Sequence, residues 1–194
     1  MFTTIRDNAK KAKNRCKKRP KSYVILCNSE YMIVPIKADL NPYRNPPTLW
    51  FMGGTPQFFG GSADGEGAPL ETLQREVGEE SRGTLRLNTI SGEVFTALPA
   101  NEDRNTYNFF YSIDWQRTQT QWNDNVTNPA EREMQRLVEV PRGHFDPQQD
   151  NDDDIRDILL LETGTTQARG VDQFRTSHTK NAFVIFIRDI WPHL

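Results

Sequence analysis

Three glutamates and an arginine within six consecutive residues are the part of this sequence best suited to chemistry. The segment from Arg75 to Glu80 (REVGEE) places Glu76, Glu79 and Glu80 three and four positions apart. On an α-helix such residues fall within one sector of about 100°. Carboxylates crowded in this way repel each other unless a cation lies among them, and hard oxygen ligands favour Mg²⁺ or Mn²⁺ over zinc. Because these ions bridge phosphate oxygens and activate water, the segment indicates phosphoryl chemistry.

A helix must position these side chains, and the sequence predicts one over residues 69–82. Pro69 suits the first helical turn, where a missing N–H costs nothing, and Gly83 suits the C-terminal cap. Arg75 and Glu79 stand four residues apart and can form an ion pair along the helix. The apolar stripe that would anchor the helix on a sheet consists of Leu70, Leu73 and Val77.

A glycine-rich stretch, residues 53–67, precedes this helix. We expect a flexible loop here, which would let the backbone approach the carboxylates closely. Many acidic helix faces are only solvated, but at average residue usage the REVGEE pattern arises by chance in roughly one chain per thousand of this length. We expect Glu79 and Glu80 to be exposed, so that their substitution leaves the fold intact.

The segment resembles the signature of the Nudix hydrolase family, G-x5-E-x7-R-E-(apolar)-x-E-E-x-G-(apolar). Gly61 lies at the right distance to be the first glycine, with Gly60 before it, and residues 75–80 match at every specified position. The sequence departs from the signature at two positions, because the middle glutamate falls on Gly67 and the closing glycine falls on Arg82.

A second glycine pair also fits the start of such a signature. Gly53-Gly54 follows an apolar stretch, as the signature glycines do. Spacing favours Gly60 and Gly61, but the alternative stays open at this point.

The resemblance implies a metal-dependent enzyme that hydrolyses a diphosphate linkage in a nucleoside-diphosphate-linked substrate. Glu76, Glu79 and Glu80 would be the ligands of Mg²⁺ or Mn²⁺, and Glu76 would also lie near the attacking water. Arg75 would brace the helix, and the backbone carbonyl of Gly60 would complete the metal site. The substrate would be a nucleotide-like small molecule.

Many relatives supply one more catalytic glutamate from a loop after the signature, just before a short apolar strand. Glu131, six residues ahead of Leu137, is the best placed. Glu133 is the second choice and Glu102 the third.

Aromatic side chains could stack on a nucleotide base, although such residues are more often part of the core or anchors of a loop. The candidates are Trp50, Phe58, Phe59, Trp115 and Trp122.

The order of elements predicts an α/β fold with a mixed sheet covered by helices, because strands lie on both sides of a central helix and more helices follow. The predicted strands cover residues 23–27, 31–36, 49–52, 85–90, 93–98, 106–113 and 137–140, with a proline-rich loop at 40–48. Two further helices are predicted at 152–161 and 180–191. The resemblance implies an α/β/α sandwich of the Nudix type over residues 22–194.

Positive charge is concentrated before this domain, in a basic arm that we define as residues 1–21. Residues 10–21 hold eight cations and no acid. Basic arms bind nucleic acid by releasing counterions, although charge runs are usually just solvated. Two alternatives to small-molecule hydrolysis follow from this arm. The chain could be a nucleic-acid-binding or regulatory module, or it could hydrolyse the 5′ end of RNA.

The composition favours a cytoplasmic protein. A hydrophobic content of 36% and a charged content of 26% are ordinary for a globular domain. The apolar runs are too short for a transmembrane segment, and no apolar core follows the first charges as in a secretory signal. The two cysteines, Cys16 and Cys27, form no disulfide or metal pattern, so a reducing compartment is expected.

Overall fold

The structure is a computed structural model that describes residues 17–41, 44–46, 48–49, 53–87, 93–95, 105–112, 116, 119–120, 122, 133–165 and 177–194. Its strands are β1 (Lys17–Lys18), β2 (Lys21–Cys27), β3 (Tyr31–Lys37), β4 (Leu40–Asn41), β5 (Thr48–Leu49), β6 (Phe59–Ser62), β7 (Glu66–Gly67), β8 (Glu93–Phe95), β9 (Thr106–Ser112) and β10 (Met134–Pro141). Its α-helices are α1 (Pro69–Glu80), α2 (Asp152–Glu162) and α3 (Ser177–Ile185), and α3 continues into a π-helical turn at Phe186–Ile190.

Strand β2 is the centre of a mixed sheet with the order β10-β3-β2-β9-β8. It pairs in parallel with β9 along its whole length. On its other edge it pairs antiparallel with two strands, with β3 near their connecting turn and with β6 from Lys21 to Val24. Strand β6 therefore lies beside the half of β2 from which β3 has diverged.

Both faces of this sheet are buried, each against its own helices. Along β2 the side chains alternate, so Val24 and Leu26 face α1 while Ile25 and Cys27 face α2 and α3. The core on the α1 face also includes Ile33, Phe59, Leu70, Leu73, Val77, Tyr107 and Phe109. The core on the opposite face includes Phe110, Ile155, Leu159, Phe183, Phe186, Ile190 and Trp191. The chain thus has an α/β fold with helices on both sides of a mixed sheet.

The strands predicted at 23–27 and 31–36 are confirmed as β2 and β3, which form a hairpin. Its turn is closed by Asn28, whose side-chain oxygen accepts hydrogen bonds from the backbone N–H groups of Glu30 and Tyr31 at 2.8 and 2.9 Å. This is the turn chemistry for which asparagine is favoured. The helix predicted at 152–161 is also confirmed, and Asn151 caps it by accepting from the N–H groups of Asp153 and Asp154.

Three predictions about irregular segments need correction. The proline-rich segment 40–48 is not only a loop, because β4 pairs with β5. Residues 85–87 do not form the predicted strand, and residues 88–90 lie outside the described residues. The glycine-rich stretch is not simply a flexible loop either, because it contains β6 and β7, which pair with β2 and β1. The pairings of β6 and β7 join segments that are distant in sequence, so no local sequence pattern predicts them.

The end of the basic arm belongs to the folded unit. Lys18 pairs with Glu66 and Lys17 with Gly67 in an antiparallel ribbon, and the N–H of Arg19 donates to the carbonyl of Gly65 at 2.8 Å. Residues 1–16 lie outside the described residues. No helix within the described ranges has the length and apolar character needed to cross a bilayer.

Helix α1 begins with Pro69 in the first turn, as predicted, and ends at Glu80. The N–H of Gly83 donates to the carbonyl of Gly78 at 2.7 Å, and the N–H of Arg82 donates to that of Glu79 at 3.1 Å. This is the Schellman pattern of helix termination, in which the first residue beyond the cap adopts positive φ. That residue is Arg82, with φ of 54°. Arg82, which stands where the Nudix signature has its closing glycine, therefore adopts a backbone conformation that favours glycine.

We predict that Arg82→Gly stabilises the protein, because glycine adopts positive φ without the steric cost that arginine bears there. The expected gain is about 1 kcal/mol in the free energy of unfolding, measured by chemical denaturation. As a matched control, Gly83→Ala, at φ of 74° and with open space around the added methyl group, should lose about the same amount. A less stable Arg82→Gly variant would contradict this account of the helix end.

Candidate functional site

The three glutamates of α1 lie at three different depths. Glu79 is exposed, with 59% of its side chain accessible, whereas the side chain of Glu76 is 15% accessible. Glu80 is buried, at 7%. The expectation that both Glu79 and Glu80 are exposed is therefore wrong for Glu80. The reason is that α1 packs directly on β6 and β2, which cover its last turn.

Glu80 accepts a hydrogen bond from the N–H of Gly60 at 2.7 Å. This charge-assisted bond satisfies a carboxylate that would otherwise be costly to bury. Gly60 has φ of 140°, and a methyl group there would collide with the backbone of Ser22 and Tyr23 in β2. Only glycine allows β6 to approach β2 this closely, so the position of the N–H that holds Glu80 depends on this residue.

Gly61 lies against Glu76. A methyl group on Gly61 would collide with the carboxyl group of Glu76, so the Glu76 side chain would have to move if the glycine were replaced. The alternative pair lies elsewhere, because the N–H of Gly54 donates to the carbonyl of Lys37 and Gly53 lies against the backbone of residues 38–39. Of the two glycine pairs, Gly60 and Gly61 are the ones at the α1 carboxylates.

Arg75 links two of the carboxylates to the glycine strand. Its guanidinium donates to Glu79 at 2.8 Å, to the carboxylate of Glu76, and to the backbone carbonyl of Ser62 at 3.0 Å. The arginine thus braces α1 against β6, as the resemblance implies, and it also supplies positive charge between Glu76 and Glu79. Ser62 was not anticipated from the sequence, because its contribution is a backbone carbonyl.

Burial raises the pKa of Glu76 above its ordinary value of 4.5. The charge of Arg75 acts in the opposite direction, and the negative charges of Glu79 and Glu133 raise the pKa further. The shift shows that negative charge at Glu76 is not fully compensated by the groups around it. An added cation would relieve this excess.

Among the candidates for the additional glutamate, the structure describes only Glu133. Its carboxylate lies 3.0 Å from Nζ of Lys37, and its negative charge contributes to the raised pKa of Glu76. Glu131, the preferred candidate, and Glu102 lie outside the described residues. Sequence analysis missed Lys37, although a lysine that ends the apolar strand MIVPIK is a signal that could have been followed.

The donor set suits a divalent cation, but the carboxylates are not gathered around one point. Within the described residues, no three acidic, histidine or cysteine side chains lie close enough together to hold a metal ion. The oxygens of Glu76 and Glu79 contact Arg75, and Glu80 contacts the N–H of Gly60. A bound cation would have to compete with the guanidinium for the first two carboxylates.

The aromatic candidates that the structure describes belong to the core. Phe59 packs edge-on against Trp122, and Phe58 packs against Phe183. These three candidates are at most 6% exposed. Trp50 and Trp115 lie outside the described residues. Cys27 is free and buried, and burial raises the pKa of its thiol to about 12, so it is neither a nucleophile nor a metal ligand.

No family model matches the chain, and comparison with curated protein sequences finds no match either.

We predict that Glu76→Gln makes the metal-free protein more stable at about pH 7. The fold raises the pKa of Glu76, so it favours the neutral carboxyl. The neutral Glu76 carboxyl therefore stabilises the fold fully at a pH below its ordinary pKa of 4.5. This stabilisation is lost as the pH rises through the raised pKa of the folded protein. Glutamine imitates the neutral form at every pH, so the gain in melting temperature over wild type should shrink as the pH falls toward about 4.

The measurement is thermal unfolding in a chelator over this pH range. Glu71→Gln is the control, because Glu71 is exposed in the first turn of the same helix. It should show no gain. An unchanged or lower melting temperature of Glu76→Gln near neutral pH would contradict the prediction.

Proposed function

We propose that this chain is a metal-dependent hydrolase that cleaves a diphosphate linkage in a nucleoside-diphosphate-linked substrate, as the resemblance to Nudix enzymes implies. The proposal includes an α/β/α sandwich of the Nudix type and Mg²⁺ or Mn²⁺ as the cofactor. One observation carries it. The backbone of Gly60 and Gly61 lies directly on the carboxylates of Glu80 and Glu76.

This contact makes a solvated acidic face a poor explanation. A solvated glutamate would extend away from the sheet, yet the carboxyl group of Glu76 lies where a methyl group on Gly61 would be. Burying Glu76 and Glu80 on one helical turn beside a third carboxylate also destabilises the free protein through repulsion and desolvation. An arrangement with such a cost is characteristic of sites that bind cations.

The residues of the site have separable tasks in this proposal. Glu80 is oriented by the Gly60 N–H and Glu76 by its contact with Gly61, so both carboxylates would reach the ligand in prepared positions. Glu79 is accessible from solvent and would complete the set. Arg75 donates to the carbonyl of Ser62 and would keep α1 attached to β6 even if a bound ion replaced its contacts with the carboxylates. When bound, Mg²⁺ or Mn²⁺ neutralises phosphate oxygens and lowers the pKa of a coordinated water.

We expect Glu79→Gln to lower the turnover number by about 10³-fold while the fold persists. The fold should persist because the side chain is mostly exposed and its ion pair with Arg75 contributes little to stability. The measurement is hydrolysis of a panel of diphosphates, namely sugar nucleotides, ADP-ribose, dinucleotides and nucleoside triphosphates, with saturating Mg²⁺ or Mn²⁺. Circular dichroism monitors the fold.

Glu71→Gln makes the same chemical change elsewhere on α1 and should retain full activity. Turnover of Glu79→Gln at the wild-type rate would remove Glu79 from the proposed site. Absence of metal-dependent hydrolysis of every compound by the wild type would overturn the proposed function.

A second candidate function is hydrolysis at the 5′ end of RNA. It is favoured by the ribbon in which Lys17 and Lys18 pair with Gly67 and Glu66, because this ribbon joins the basic arm to the segment that leads into α1. A polynucleotide whose end reached the carboxylates would then pass near the β1–β7 ribbon, to which the basic arm is joined.

Salt dependence distinguishes the two candidates. If the arm holds RNA, hydrolysis of capped RNA should weaken steeply with added KCl and on deletion of residues 1–16, a deletion that leaves the β1–β7 ribbon intact. Hydrolysis of a dinucleotide diphosphate should change little under either treatment. Equal behaviour of the two substrates would exclude the RNA candidate.

A further inference from the structure

Lys37 is a buried cation with no task in the proposed chemistry so far. It is the last residue of β3, and only 5% of its side chain is accessible. Its Nζ lies 3.0 Å from a carboxylate oxygen of Glu133, whose side chain is 20% accessible. Burying an ammonium group is unfavourable without such a partner, so the burial of Lys37 depends on Glu133.

The direction of β3 places Lys37 on the same face as the α1 carboxylates. Side chains alternate along a strand, and Ile33 of β3 packs into the core beneath α1 while Val34 and Ile36 pack into the opposite core. Lys37 lies four residues beyond Ile33 and therefore shares its face. The lysine extends from the sheet toward the side on which Glu76 lies.

Glu133 is held at this place from two directions. Its backbone carbonyl accepts from the N–H of Ala38 at 2.8 Å, and the next residue, Met134, pairs with Lys37 in the register of β10 and β3. Its side chain is held by Lys37.

We propose that Lys37 is a positioning residue, which fixes the Glu133 carboxylate on the α1 face of the sheet, where it would act as a fourth carboxylate of the site. This inference rests on the proposed function. Lys37 itself does not touch the substrate, and its effect passes through Glu133. Without this buried counter-ion, the Glu133 side chain would be free to rotate into solvent.

The test is a double-mutant cycle with Lys37→Met, Glu133→Gln and the combination of both. Methionine fills a similar volume without the charge. The steady-state constants are measured with Mg²⁺ and the diphosphate of the panel that the wild type hydrolyses fastest. We expect each single variant to lower kcat by about a hundredfold with less change in KM. Because Lys37 acts through Glu133, the double variant should be no slower than Glu133→Gln alone.

The control is Arg156→Met, which removes a cation from ion pairs with Asp153 and Asp157 on α2. It lies on the opposite side of the sheet from α1 and should keep the wild-type kcat. A kcat of Arg156→Met that falls as far as that of Lys37→Met would show that the effect is not specific to Lys37.

Each result decides between the proposals. A wild-type kcat in Lys37→Met, or losses that multiply in the double variant, would overturn the role of Lys37 while leaving the hydrolase assignment intact. A wild type that hydrolyses no diphosphate would overturn the proposed function and this inference with it. If Lys37→Met does not fold, Glu133→Gln carries the test, because an unchanged kcat in that variant would show that Lys37 positions a residue without a role.

Discussion

The close contact between β6 and the last turns of α1 is the constraint on which the arrangement of the site depends. Gly60 lets β6 lie on β2, and its N–H then fixes the buried carboxylate of Glu80. Gly61 leaves the space that Glu76 occupies. Arg75 joins the same strand to the same helix through Ser62. These contacts hold Glu76 and Glu80 in place without any ligand, although the three α1 carboxylates of the described structure do not converge on one point.

The charges of the site are balanced only in part. Arg75 contacts two carboxylates and Lys37 a third, yet burial and neighbouring acids still raise the pKa of Glu76. Arg75 bridges the carboxylates of Glu76 and Glu79, and no three of the described groups converge on one point. In our proposal the exchange of guanidinium contacts for a divalent ion would bring the carboxylates together, so that the repulsion stored in the free protein favours binding.

Local sequence signals predicted the elements well, and long-range contacts account for what they missed. Asn28 and Asn151 mark a turn and a helix start by their own hydrogen bonds, so both were recognisable from a few residues. The burial of Glu80 was not recognisable from the sequence, because it depends on the pairing of β6 with β2, which is distant in sequence. Lys37 was missed for the same reason, since its partner Glu133 is distant in sequence. The spacing of glutamates on α1 identified the candidate residues, but their environments came from tertiary structure.

The most direct test of the account is the binding of Mn²⁺ by electron paramagnetic resonance, without any substrate. The wild type should remove the signal of free hydrated Mn²⁺ during the titration. A double variant in which Glu76 and Glu79 are both glutamine should remain folded and leave that signal unchanged. Removal of the free Mn²⁺ signal by the double variant to the same extent as by the wild type would contradict the claim that these carboxylates form the cation site.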